Sequence, residues 1–203
     1  MPLIVLEGID GCGKTTQARL LAETLRARQI PHRLLREPGG TSLGESQRKI
    51  LLDPQNVVCP VAELFGYLQA RAQLVDEVLK PALAAKEVVI LDRFSPSTYV
   101  YQGSGLGLDL QMLSSALRLA EQGVKPDLVL WLKIDPILAA KRRQAGRAAA
   151  DRIEARGEDY LRKVHNGYAA LAAKEGFTVI DAEQEPNLVF AAISKAVAGV
   201  VPG

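Results

Sequence analysis

The sequence predicts an α/β fold, a five-stranded parallel sheet with helices on both faces. Three observations predict it. Short apolar runs recur along the 203 residues, each followed by a stretch whose apolar positions have helical spacing. The runs are rich in Val, Ile and Leu, as in strands buried on both faces. The first run passes straight into a glycine-rich loop and then a helical pattern, the order in which a parallel sheet builds a phosphate site.

Taken in order, residues 3–7 (Leu-Ile-Val-Leu-Glu) are the first strand. Gly8, four residues, then Gly13, Lys14 and Thr15 match the P-loop pattern G-x-x-x-x-G-K-S/T. A helix over 14–28 follows, with Ala18, Leu21 and Leu25 on one face. The strand at 32–36 ends in Arg36-Glu-Pro-Gly-Gly-Thr41, a tight shaped turn, before a helix at 43–52. A long helix over 60–82 carries the stripe Phe65, Leu68, Ala72 and Val75, with Arg71 at its edge. The strand at 87–91 runs into Asp92 and Arg93. Residues 95–103 cluster Ser95, Ser97, Tyr101, Gln102 and Gly103, which suits either a recognition surface or a plain loop. A helix over 109–122 precedes the strand at 127–133, which places Trp131 in the core. Helices at 135–144 and 153–174 flank an arginine-rich segment, and a strand at 177–181 and a helix at 186–199 close the chain.

Composition narrows the class. Hydrophobic content of 48% and charged content of 24% fit one globular domain over 1–203. A net charge of +2 gives no bulk attraction to nucleic acid, and no apolar run reaches the ~20 residues of a membrane span. Cys12 lies in the glycine loop and Cys59 is the only other cysteine, so no disulfide is expected. With no basic leader, these features point to the cytoplasm.

The chemistry follows from the loop. Backbone N–H groups of Gly8, Ile9, Asp10, Gly11, Cys12 and Gly13, with Lys14, Thr15 and Thr16, would cradle the phosphates of ATP. The Thr15 hydroxyl and the strand-end carboxylate of Asp92 are the candidate Mg²⁺ ligands. Arg36 and Arg93, at neighbouring strand ends, aim cations at the same crevice. A hydroxyl acceptor needs a base, whereas a phosphate monoester needs only cations to offset repulsion and alignment for in-line attack. The arginines therefore favour transfer to a phosphate. Asp10 is anomalous in a phosphate loop and must face a sugar hydroxyl, an arginine or Mg²⁺. The guanine motif Asn-Lys-x-Asp is absent, since Asn56, Asn166 and Asn187 are not followed by Lys.

These residues resemble thymidylate kinases of the bacterial type. The resemblance rests on Glu7–Gln17, Arg36–Thr41 with Gly44, Glu45 and Arg48, Asp92–Ser97 running on to Tyr101-Gln102-Gly103, and Asp151-Arg-Ile-Glu154. It implies a P-loop kinase core with a short lid at about 142–152, a homodimer, and transfer of the ATP γ-phosphoryl group to dTMP. Phe65 would stack on thymine, and Arg71 and Ser97 would hydrogen-bond it. Arg36 and Arg93 would bind the dTMP phosphate, with Asp10 near the sugar 3′-OH. Tyr101 would crowd the 2′ position, and Gln102 would flank the base. A cis Glu37–Pro38 bond is implied as well. The family carries its catalytic arginine in the P-loop or in the lid. This P-loop has none, which leaves Arg142, Arg143, Arg147 and Arg152, with Arg143 and Arg147 favoured beside Lys14 and Arg93. The long helices at 60–82 and 109–122 offer a surface for dimerisation.

Overall fold

The computed structural model describes residues 1–146 and 151–201. Its centre is a five-stranded parallel sheet of order β2-β3-β1-β4-β5. The strands are β1 (Leu3–Glu7), β2 (His32–Arg36), β3 (Val88–Asp92), β4 (Leu128–Lys133) and β5 (Thr178–Asp181). β1 lies in the middle, with Val5 opposite Leu91 on one side and Val129 on the other. All five of its residues are buried. Successive side chains go to opposite faces, as the pleat requires. Ile4, Leu6, Val88 and Ile90 enter one apolar cluster, and Leu3, Val5, Val89 and Leu91 the other. β2 reads His-Arg-Leu-Leu-Arg and is largely exposed, as an edge strand.

Helices cover both faces. α1 (Lys14–Ala27), α8 (Glu158–Glu175) and α9 (Pro186–Val197) contribute Leu21, Leu25, Val164, Tyr168, Val189 and Ile193 to the first cluster. α3 (Pro60–Leu74) and α4 (Lys80–Ala84) supply Leu74 and Ala82 to the second, with Phe94. α2 (Ser42–Leu52), α6 (Leu110–Glu121) and α7 (Pro136–Gly146) complete the layers with the four-residue α5 (Ser95–Thr98). Trp131 is buried and stacks on Tyr168, 6.1 Å between ring centroids. Both cysteines are free. Among the described residues, no helix is long and apolar enough to cross a membrane.

The elements differ from the sequence reading in three places. The helix read over 60–82 is α3 continued through a wide π turn at Val75–Leu79 into α4. That turn ends two residues before Pro81, which has no N–H to give an α-helical bond. The helix read over 153–174 is broken: Glu154–Arg156 make one tight turn, Gly157 takes φ +85°, and α8 begins at Glu158. Residues 95–105 are helical rather than a loop, α5 followed by a wide turn over Tyr99–Gly105. Their N-terminus is held by a carboxylate from β1, a long-range contact invisible to local pattern.

Leu6 is fully buried at the centre of the sheet. Leu6→Ala should cost about 3 kcal/mol in urea unfolding.

Candidate active site

The site is assembled where strands end. Glu7, the last residue of β1, is completely buried and accepts hydrogen bonds from Phe94 N–H (2.8 Å), Ser97 N–H (3.3 Å), Ser97 Oγ (2.6 Å) and Tyr168 OH (2.7 Å). It thus fixes the chain just beyond β3 against the chain just before the P-loop. Ser95 to Gly105 can then turn helically over the sheet's carboxyl end.

The loop from Gly8 to Gly13 uses left-handed backbone at Gly11 and Gly13, and α1 starts at Lys14. At Gly11 (φ +90°) a Cβ would stand 2.3 Å from the Ala139 carbonyl oxygen, so α7 packs directly on this turn. Lys14 Nζ folds back on the loop, 2.9 Å from Gly8 O and 3.2 Å from Ile9 O. Thr15 and Thr16 are exposed at the start of α1. The α1 N-terminus and the loop's N–H groups face a cavity of about 660 Å³ lined by Lys14, Thr15, Arg36, Asp92, Arg93 and Arg143, among others.

β3 delivers the next two groups. Thr15 Oγ1 donates to Asp92 Oδ2 at 2.8 Å, so the two predicted metal ligands are adjacent. Arg93 takes φ +75°, which turns its side chain into the crevice. Its guanidinium reaches Asp10 Oδ1 (2.7 Å), Ser97 Oγ (3.0 Å) and Tyr101 OH (3.3 Å), and lies over the Tyr101 ring at 5.0 Å. Asp10 therefore answers an arginine, with Lys14 Nζ 3.7 Å away. Burial alone would raise the Asp10 carboxyl, but Arg93 and then Lys14 outweigh it and hold the group far below the ordinary carboxylate range.

The other arginines divide by what holds them. Arg36 is exposed and pairs with Glu45 at 3.1 Å. Arg48 donates to Pro38 O at 3.0 Å and, like Arg36, lines the P-loop cavity. The sequence reading gave Arg48 no role. Arg142 is committed to the backbone after β5, donating to Ala182 O (2.7 Å) and Glu183 O (3.0 Å). Arg142 and Arg143 both line the P-loop cavity, but the Arg143 Nη1 is buried without a hydrogen-bond partner among the described residues. Glu154 lies 3.9 Å from its Nε. Arg147 falls outside the described residues.

A second, narrower cleft adjoins the first. Its walls include Tyr67, Arg71, Ser97, Thr98, Tyr101 and Gln102. Arg71 is 2% exposed and forks onto Glu37 through Nε (2.8 Å) and Nη2 (2.6 Å), while Nη1 donates to Thr98 Oγ1 at 3.0 Å. Glu37 precedes Pro38 through a cis peptide bond, as the resemblance implied. One assignment is corrected. Phe65 is 63% exposed and is not among the cleft's walls. Two residues further on, Tyr67 is half-buried and faces the cleft one helical turn before Arg71. Ser97 lines the cleft, but its hydroxyl proton goes to the Glu7 carboxylate, and Thr98 is the hydroxyl beside Arg71. The i, i+4 spacing of Tyr67 and Arg71 was the available signal. The apolar stripe through Phe65 obscured it.

No cluster of three or more His, Cys, Asp or Glu side chains suited to a metal occurs among the described residues. The Thr15–Asp92 pair nevertheless fits Mg²⁺, which takes one or two protein oxygens and fills its shell with water and substrate phosphates.

Comparison with known proteins shows the family. The family model described as thymidylate kinase matches residues 6–193. A thymidylate kinase of Caldanaerobacter subterraneus subsp. tengcongensis is 44% identical over 202 residues, covering 98% of this chain and 96% of that protein. One from Synechococcus sp. (strain RCC307) is 46% identical over 193 residues, covering 92% and 90%. The crystal structure of thymidylate kinase from Ehrlichia chaffeensis superposes with a TM-score of 0.78 at 31% identity, covering 97% and 98% of the two chains.

The Asp10–Arg93 pair gives the site a pH signature. Because the folded-state pKa of Asp10 is depressed, its contribution to stability is present above the unfolded-state value and is lost as pH falls through and below about 4. The stability gap between the native chain and Asp10→Asn should therefore shrink by about 1 kcal/mol between pH 5 and pH 3 in urea unfolding.

Proposed function

The chain belongs to the thymidylate kinase family, an ATP-dependent kinase that converts dTMP and ATP to dTDP and ADP, and on that footing we propose how its own residues divide the task. One observation carries the assignment. The P-loop cavity and the narrow cleft share the walls Asp10, Glu37, Arg48 and Arg93. A donor triphosphate on the loop and an acceptor monophosphate in the cleft would meet at that common wall.

In this reading the loop from Gly8 to Thr16 and the N-terminus of α1 hold the ATP phosphates, and Lys14 leaves the loop carbonyls to reach the β- and γ-phosphates. Thr15 and Asp92 would hold Mg²⁺, which would supply neutralisation of phosphate charge. Arg93 and Arg48, with Arg36 at the rim, take the dTMP phosphate. Asp10 orients Arg93 and stands beside the sugar. Tyr67 stacks on the base, and Arg71 and Thr98 hydrogen-bond its edge. Tyr101, buried beneath Arg93, fills the space where a ribose 2′-OH would lie. Arg143 is the catalytic cation best supported by geometry, since it lines the P-loop cavity and its buried Nη1 has no hydrogen-bond partner among the described residues. Arg147 remains its companion by the resemblance alone. No general base is required, because the acceptor phosphate is already ionised at neutral pH.

The reading keeps residues 1–203 as one domain, with the arginine-rich 142–152 segment as its lid, and places the protein in the cytoplasm. It also makes the protein a homodimer. Val61 and Phe65 on α3 and Leu110, Met112 and Leu119 on α6 are exposed, an apolar set that a second copy would cover.

A coupled ADP-release assay with ATP and Mg²⁺ against dTMP, dUMP, dCMP, dGMP and dAMP tests the assignment. Strong dTMP turnover with weak dUMP turnover is the expected result, and preference for a purine monophosphate would overturn it. Tyr67→Ala should raise KM for dTMP about tenfold or more. Phe65→Ala should leave that KM within about twofold.

A further inference from the structure

Glu63, on the first turn of α3, is completely buried and belongs to none of the groups assigned above. Three side chains converge on its carboxylate. Arg152 Nη2 lies 2.6 Å from Oε2. Arg156 donates to Oε1 (3.1 Å) and Oε2 (2.5 Å). Gln102 Nε2 donates to Oε1 at 2.8 Å. Two arginines are more cation than one carboxylate needs, and they keep it ionised. Burial opposes that, but the hydrogen bonds from Arg156 and Gln102 prevail, and the carboxyl sits below its ordinary range.

The consequence falls on Gln102. An ionised carboxylate only accepts hydrogen bonds, so it compels the amide to present its NH₂ to Glu63. The opposite end of the amide, the carbonyl oxygen Oε1, then belongs to the cleft side. Gln102 is 1% exposed and is one of the cleft's walls. Without Glu63 the amide could flip and offer a donor instead. The arginines also tie down the wall itself, because Arg152 Nε donates to Leu51 O (2.8 Å), while Asp151 and Ile153 on either side of it line the same cleft.

We propose that Glu63 is a positioning residue for base selection, locking the Gln102 amide so that an acceptor faces the base and favouring a pyrimidine with a ring N–H donor over one with a ring nitrogen acceptor. This rests on the cleft being the dTMP base site. Thymine and uracil carry the donor at N3. Cytosine has a lone pair there, which would face the Gln102 oxygen and leave two acceptors opposed in a desolvated site.

The test is the ratio of kcat/KM for dTMP to that for dCMP, in the native enzyme and in Glu63→Gln. The neutral amide at 63 can serve Gln102 as donor or acceptor, so the lock is lost. The ratio should fall at least about tenfold, through a higher KM for dTMP and a lower one for dCMP, while KM for ATP stays unchanged. An equal loss on both substrates, with the ratio intact, would mean a structural role only and would overturn the inference. If the native enzyme itself shows no preference for dTMP over dCMP, the base-site assignment fails instead, so the two failures are separable. Should Glu63→Gln not fold, a neutron structure of the native enzyme with dTMP decides. Amide deuterons directed at Glu63 support the lock, and deuterons directed at the base refute it.

Discussion

A buried carboxylate at the end of the central strand must be satisfied, and much of the site follows from how Glu7 achieves it. An unpaired charge there would be costly, so Glu7 draws in the Phe94 and Ser97 amides and the Ser97 and Tyr168 hydroxyls. Those bonds start α5 immediately after β3, and the helical path from Ser95 to Gly105 carries Thr98, Tyr101 and Gln102 to the cleft. They also leave Arg93 at positive φ, aimed at Asp10 rather than at solvent. One carboxylate thus links β1, the chain just after β3 and α8 through Tyr168.

Arginine is used in two distinct ways around this frame. Arg71, Arg142, Arg152 and Arg156 are held by protein acceptors and position backbone or neighbouring side chains. Arg36, Arg48, Arg93 and Arg143 line the P-loop cavity. Two phosphates brought together repel strongly in a low-dielectric crevice, and fixed cations that need no reorganisation counter that repulsion. Sequence position does not distinguish the two uses. Arg142 and Arg143 are adjacent and both line that cavity, yet successive helical residues point about 100° apart, so Arg142 is bound to the backbone after β5 while Arg143 packs against the Gly11 turn.

Most of the sheet was legible because buried parallel strands leave continuous Val/Ile/Leu runs, and all five strands, the exposed edge strand β2 included, lie within a residue of the predicted segments. The P-loop, Asp92 and Arg93 were legible because strand ends and glycine spacing are local. What local pattern misses is choice among near neighbours. On α3 the apolar stripe favoured Phe65, but the cleft is lined by the face bearing Tyr67 and Arg71, while Phe65 looks outward beside Val61. After β3 a different limit applies. That Ser97 gives its hydroxyl proton to Glu7, while Thr98 lies beside Arg71, depends on a residue about ninety positions earlier in the chain. The helical turn over 95–105 stayed hidden for the same reason, since its first N–H groups are capped from β1 and not by a neighbouring residue.

The buried Glu37–Arg71 pair shows why this arrangement tends toward recognition rather than stability. Burying two charges costs desolvation that their attraction only about repays, so such a pair adds little to folding as a whole. Its effect is directional. Because Glu37 holds Nε and Nη2, the guanidinium plane is fixed, with its face toward the Phe94 ring at 5.2 Å and its Nη1 toward Thr98 at the cleft. A flexible lysine at 71 would carry the charge but not the plane. Glu63 repeats the device on the opposite wall, where a carboxylate again orients a side chain that lines the cleft. The cleft is thus bounded by two side chains, Arg71 and Gln102, each oriented by a buried glutamate, and its hydrogen-bonding edge is largely set before any ligand arrives.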